Sequence, residues 1–369
     1  MTDDRMTLSI SPLPGPTWNW LKVNDAEIKV PEEAEEALAE VDLPGELSDT
    51  MLLDEEDVET LISAESGLGS NFAAWIAGCP VDPVTITASK GMQAETPAVV
   101  RLYATNKEAA ANRYQVIARQ DSELTLVMYI SGKDVDAASD GNATVSLDTR
   151  ILIQDGAKVH LVQVCDGGAA VGSYVDVAAV LGERSELSIL QISMGEAEAF
   201  FGVAADLQGK SSKLSIDTAF SAGAGERVDM NYIARHHGKH TESVIRVNGV
   251  LRENAEKTFR GTIDFIRGSA GATGDEREDV LLLGENVVNK TVPLILCSEE
   301  DVEGSHGATI GDLSDETLYY FRSRGIDDET AYNLIAAGRL VSAVQKIPDE
   351  TLKNELLVKM GELEEEDSE

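Results

Sequence analysis

The stretch "SELSIL", Ser185–Leu190, decides the fold because variants of it recur along the chain. "SELTLV" begins at Ser122, "AKVHLV" at Ala157, "SKLSID" at Ser212 and "ESVIRV" at Glu242. Each sets apolar residues two apart, the spacing of a strand with one buried face. Val159, Leu187 and Leu214 hold equivalent positions, separated by 28 and then 27 residues. A near-constant period of that size fits a solenoid, in which each coil buries its apolar side against the next. From about Tyr114 to Leu283 no long helical pattern interrupts the short β-like runs, so leucine-rich and helical repeats fit badly. A β-solenoid is the best reading, with an ordinary β-sandwich as its competitor.

Outward from this core the pattern changes. From Asp25 to Glu59 there are fifteen acidic residues and one basic, Lys29. "VPEEAEEALAEV" reads as a short helix opened by Pro31, and "DEEDVETLISAESG" as another with acids in its first turn. Beyond the core, helices are expected at 314–325, capped by Ser314, at 327–338, capped by Asp327 and stopped by Gly338, and at 339–347 and 349–360. The expected plan is therefore a mainly helical, acidic N-terminal region over 1–95 and a β-solenoid over 96–311. A helical domain over 312–360 and a disordered acidic tail over 361–369 complete it.

Composition narrows function. The 369 residues carry 66 acidic against 30 basic side chains, a formal net charge of -36. Such a field repels phosphate backbones and anionic lipid, so nucleic acid and membrane surfaces are poor partners. No signal-peptide core and no long apolar run occurs, and a cytoplasmic protein is expected. Cys79, Cys165 and Cys297 are odd in number and widely spaced; buried free thiols are expected, not disulfides.

Chemistry-bearing motifs are sparse. No P-loop, Gly-x-Ser-x-Gly elbow or His-Glu-x-x-His pattern is present. "GSAGATG" from Gly268 lacks the P-loop lysine and reads as a solenoid turn. "RHHGKH" contains His236, His237 and His240, but Arg235 and Lys239 oppose a cation, and a surface turn is favoured. "DVEGSHGATIG", Asp301–Gly311, places His306 after Glu299, Glu300, Asp301 and Glu303, with Cys297 nine residues upstream. Neutral imidazole is a good borderline ligand for iron. On spacing alone, a turn role outweighs a ligand role.

That segment, joined to "LYYFRSRGI" (Leu318–Ile326), resembles the signature of the SufB/SufD family of the SUF iron–sulfur cluster assembly system. "FRGTIDF" from Phe259, "LLLGENVVNKTVPL" from Leu281 and "PTWNWLKVN" from Pro16 are similar to segments of the same family, most like its SufD branch. The resemblance implies a right-handed parallel β-helix between helical terminal segments. It implies a non-catalytic scaffold, paired with SufB through the β-helix and carrying a SufC ATPase of the ABC type on its C-terminal helices. Leu318, Tyr319, Tyr320, Phe321, Arg322, Ser323, Arg324 and Gly325 would then belong to the SufC-docking segment. ATP would be bound by SufC only, and a transient iron–sulfur cluster would form at the SufB interface. His306 matches the family's interface histidine, and Cys297 and Glu303 are further candidates for that iron site. Family members often carry cysteine two residues before the histidine; here Gly304 removes that thiolate, and Ile295 replaces an acidic residue. His306 is therefore expected to serve a shared metal site, with no cluster held stably by this chain alone. A SufB-like homodimer with SufC is the nearer alternative. A β-helix carbohydrate-active enzyme is the remote one, disfavoured by an aromatic content of 5%.

Overall fold

A computed structural model describes residues 5–17, 19–45, 47, 53–105, 109–132 and 143–363. The N-terminal region contains β1 (Met6–Ile10), β2 (Ala26–Val30), β3 (Glu35–Glu36), β4 (Leu38–Asp42), α1 (Glu55–Ser63), α2 (Ser70–Gly78) and β5 (Val84–Ala88). The central strands are β6 (Ala98–Tyr103), β7 (Ala109–Ala118), β8 (Glu123–Ser131), β9 (Ala143–Ile153), β10 (Lys158–Asp166), β11 (Gly168–Leu181) and β12 (Glu186–Ser193). They continue as β13 (Glu196–Leu207), β14 (Lys213–Ala222), β15 (Arg227–His236), β16 (Glu242–Arg252), β17 (Glu256–Phe265), β18 (Ala272–Leu283), β19 (Val288–Cys297) and β20 (Val302–Gly311). α3 (Asp315–Arg322), α4 (Asp328–Val344) and α5 (Glu350–Lys359) follow.

From β6 onward the strands alternate between two sheets, even-numbered in one and odd-numbered in the other, and every neighbouring pair is parallel. The result is a β-solenoid of about seven turns. A sandwich would pair its strands antiparallel. Val159, Leu187 and Leu214 are direct ladder partners, with Leu124 one coil earlier. The next inward position stacks Leu126, Leu161, Ile189, Ile216 and Ile245. Each such fully buried side chain stabilises the fold by about 1.5–3 kcal/mol.

The outer faces are covered too. The pair β1–β2 and helix α2 pack on the odd-numbered sheet through Ile10, Ile28, Phe72 and Ile76 against Tyr174 and Phe200. α4 and α5 cover the even-numbered sheet, with Leu340, Val344, Leu352 and Leu356 against Val127, Val162, Val164 and Ile192.

The N-terminal region is mixed, not mainly helical. "VPEEAEEALAEV" forms β3 and β4, and β4 pairs antiparallel with β6 at the start of the even-numbered sheet. As a helix it would place Glu32, Glu36 and Glu40 at i,i+4, where like charges repel. Pairing to the sheet also buries Ala34 and Ala37. Gly338 does not end a helix: α4 runs through it to Val344, because Leu340, Ala343 and Val344 continue the buried face. That burial outweighs a mid-helix glycine cost of roughly 1 kcal/mol. Of the tail expected to be disordered, 364–369 lie outside the described residues.

A polar column runs down the outer face of the odd-numbered sheet: Arg113, Asp148, Asp176, Gly202, Asn231 and Arg260 are ladder neighbours in that order. It grips the N-terminal segment by its backbone. Asp176 accepts the Leu68 N–H at 2.8 Å, Asn231 donates to Gly67 O at 2.7 Å, and Arg260 donates to Val23 O at 2.7 Å and Asp25 O at 3.0 Å. At Gly202 the two backbones touch: an added Cβ would lie 2.3 Å from Leu68 N. Gly202→Ala should therefore cost about 1–3 kcal/mol, as overpacking does. Denaturant unfolding checks this, and unchanged stability would mean that the segment is not seated there.

Candidate functional site

The inward columns change character near the end of the solenoid. The Leu124 column continues through Ser243 and Gly274 to Gly304, and the Leu126 column through Glu276 to His306. Aliphatic filling is thus replaced by glycine, carboxylate and imidazole over the last two coils. Among the described residues β20 is the last strand of its sheet, and β19 of the other. Residues 303–310 of β20 are exposed, although alternation turns every second side chain towards the coil interior. Ile295 and Ile310 stand 37% and 40% exposed at this open end.

His306 lies in register beside Glu276, one coil deeper. Burial, and then the neighbouring Glu278 charge, push the Glu276 carboxyl up to about 7, against a downward pull from Lys257. Lys257 is buried and ion-paired to Glu278; it also donates to Thr291 Oγ1 at 3.1 Å, and Thr291 donates to Glu278 at 2.7 Å. Burial holds the Lys257 amine below its ordinary range, opposed mainly by Glu278. At this end of the solenoid a cavity of about 540 Å³ is lined by His306, Asp275, Arg246 and Arg277, and Ser305 donates to Asp275 at 2.6 Å. The open coil therefore presents one accessible imidazole backed by a buried, hydrogen-bonded acid–amine group.

The other candidates do not converge on His306. Glu303, three residues before it, projects from the opposite face of β20. Cys297 is exposed, not buried like Cys79 and Cys165, and its thiol donates to Glu299 O at 3.0 Å. A Cβ on Gly304 would lie 3.2 Å from the Ile295 side chain, so these two positions face each other across the coil. Cys297 and His306 lie two residues beyond that pair in opposite directions, about 13 Å apart along the strands at ~3.3 Å per residue. The described residues contain no group of three or more His, Cys, Asp or Glu placed to hold an ion. The same added Cβ would also lie 3.0 Å from Phe265, so the coil closes tightly over the glycine.

"RHHGKH" is a turn. His236 is interior, hydrogen-bonded to Thr241 and Ser243 at 2.7 and 2.8 Å, and burial, then the His237 charge, push it down to about 4. In the C-terminal segment Ser314 accepts the Thr317 N–H, Leu318 is buried, and Tyr319 and Tyr320 are 72% and 52% exposed. Arg324 stacks 3.8 Å from the Tyr320 ring centre, Arg322 forks onto Asp328, Ser323 donates to Tyr320 O, and Gly325 takes φ +78 after the helix. Phe321 packs edge-on to Tyr320. The segment thus offers two exposed aromatics and two arginines, Arg322 held by Asp328 and Arg324 stacked on Tyr320.

Reading the motifs alone missed Glu276, Glu278 and Lys257. A signal existed: Gly274 and Glu276 precede Gly304 and His306 by 30 residues, one coil. Among the described residues no helix is long and apolar enough to cross a membrane.

Comparison with known proteins bears on this end of the molecule. The family model described as SUF system FeS cluster assembly, SufBD core domain, matches residues 101–339. The chain is 28% identical over 273 residues to the iron–sulfur cluster assembly protein SufD of Bacillus subtilis, covering 73% of this chain and 61% of that protein. It is 23% identical over 280 residues to the iron–sulfur cluster assembly protein SufB of the same organism, covering 76% and 58%. With SufD of Escherichia coli the identity is 27% over 156 residues, covering 42% and 37%. The match thus spans about three fifths of the length of the two Bacillus relatives.

Proposed function

This chain belongs to the SufBD core family of the SUF iron–sulfur cluster assembly system, and from that premise we propose that it is a SufD-like, non-catalytic subunit that lends His306 to a cluster site shared with SufB. The observation that carries the reading is the uncovered last coil, with His306 on its inward column and an unpaired strand edge beside it. Such an edge accepts another chain by strand addition, since its backbone N–H and C=O groups lack partners. SufB, or a second copy of this chain, would then lie against β20 and bring thiolates to the imidazole. Gly304 supplies none, and Cys297 lies about 13 Å from His306 along the strands.

In this reading His306 holds iron through a neutral ring nitrogen while a cluster is transiently built, and the cluster is cargo, not a resident cofactor. The Lys257–Glu278–Thr291 group fixes the coil behind it. SufC docks on α3 and its neighbours through Tyr319, Tyr320 and the adjacent arginines, and ATP hydrolysis belongs to SufC.

In cells whose only copy of this subunit carries His306→Ala, iron–sulfur enzyme activity should fall at least several-fold. SufB and SufC should still co-purify with the variant. The exposed position predicts a stability change within about 0.5 kcal/mol. Normal maturation in such cells would remove the ligand role. Failure of the wild-type chain to co-purify with SufB and SufC would remove the scaffold reading itself.

A further inference from the structure

We propose that the cleft between helices α1 and α2 and the outer face of the odd-numbered sheet is a binding site for a small amphiphilic carboxylate, held at its charged end by Arg113. The cleft measures about 760 Å³, within the range of small-molecule sites. Three arginines line it, and two are committed. Arg150 donates to Asp148 and to Ala64 O, both at 2.7 Å, and Arg235 is paired with Glu65 and Asp206.

Arg113 is different. Among the described residues its ion-pair partner is Asp148, 3.8 Å from an Nε that is buried and makes no hydrogen bond. Buried donors are rarely left unmatched, and of the three arginines this is the one whose loose pairing leaves room for an oxygen ligand. Ser70, the first residue of α2, lines the same cleft, and no side chain caps that helix. Its dipole favours the same anion.

The ligand's class follows from the walls. Pro14, Leu61, Ile62 and Ala77 form an apolar side, and Ile62 is 74% exposed at the rim. Asp148 and Glu65 stand beside the arginines and would repel a second negative charge. One guanidinium fork, one apolar wall and flanking carboxylates select a monoanion with a hydrocarbon body over a phosphate. The net charge of -36 disfavours diffuse anion binding, so saturable uptake would report a local site.

Calorimetric titration of the full chain tests this, with octanoate, octanamide and inorganic phosphate as probes. Octanoate should bind saturably, and octanamide and phosphate at least tenfold more weakly. Arg113→Gln should weaken octanoate at least tenfold while leaving the unfolding transition in place. Ala77→Trp, which alters only an exposed helix position, should close the cleft and remove binding. The proposal fails if octanoate does not saturate, if octanamide or phosphate binds as tightly, or if octanoate binds both variants like the wild type.

Discussion

Arg260→Ala should lower unfolding free energy by about 3–5 kcal/mol, the range seen when one partner of a buried ion pair is removed. The Arg260 side chain is 1% exposed and that of Asp229 is fully buried, with 2.7 Å between them. The arginine also donates to Val23 O and Asp25 O. Its loss would strand a carboxylate whose second oxygen already lacks a partner, together with two backbone carbonyls. The damage should be directional: residues 5–30 should become protease-sensitive before the solenoid unfolds. Arg260→Met combined with Asp229→Asn should cost less than Arg260→Ala, because no charge is left buried. Denaturant unfolding of the single and double variants measures both effects. A cost below about 1 kcal/mol for Arg260→Ala would mean that the pair only offsets its own desolvation.

Stability should also fall as pH rises from 6.5 to 8.5. Glu196 is buried; its Oε1 accepts from Gly167 N–H at 2.7 Å and Ser173 Oγ at 2.9 Å, while Oε2 has no partner. Burial pushes the carboxyl up to about 8, although those two hydrogen bonds pull it down and Asp166 and Glu226 add to the rise. An unfolded glutamate ionises near 4.3. Between these values the folded chain holds a proton that the unfolded chain has lost, so unfolding free energy declines as pH rises. The contribution is complete below the unfolded value and is lost as pH climbs through about 8. Glu276, near 7, acts in the same direction. His236, pushed down to about 4, acts oppositely, but its effect is spent once pH exceeds the ordinary histidine value of about 6.5. Exposed carboxylates have finished titrating by then. One pKa unit is worth about 1.4 kcal/mol, so the loss across the window is on the order of 1–2 kcal/mol. Glu196→Gln keeps an oxygen for Gly167 and carries no charge, and it should flatten most of that slope. An unchanged slope in the variant would place the proton elsewhere.

Much of the fold was legible in local pattern. Parallel in-register stacking demands that each coil repeat its apolar positions, so Val159, Leu187 and Leu214 announce their own ladder. The same logic, carried further along the chain, puts Gly304 and His306 on inward columns of the last coil. Helix caps are equally local: Ser314 and Asp327 accept N–H groups three residues ahead.

What the sequence by itself determined was the repeat and the resemblance that the terminal motifs carry; the turn it favoured for His306 is strand β20, because the coil repeat continues through that residue. Only the tertiary structure decided which charges lose water. Glu196 looks like any of the chain's acids and Glu276 is marked only by its one-coil spacing from His306, yet both are buried, and their altered acidity comes first from that burial. Arg260 meets Val23 and Asp25 from 237 and 235 residues away. Within the acidic segment, Leu38–Asp42 became strand because a sheet edge at β6 was there to receive it. Periodicity is a property of neighbouring residues, whereas desolvation and pairing depend on distant ones that meet only when the chain has folded.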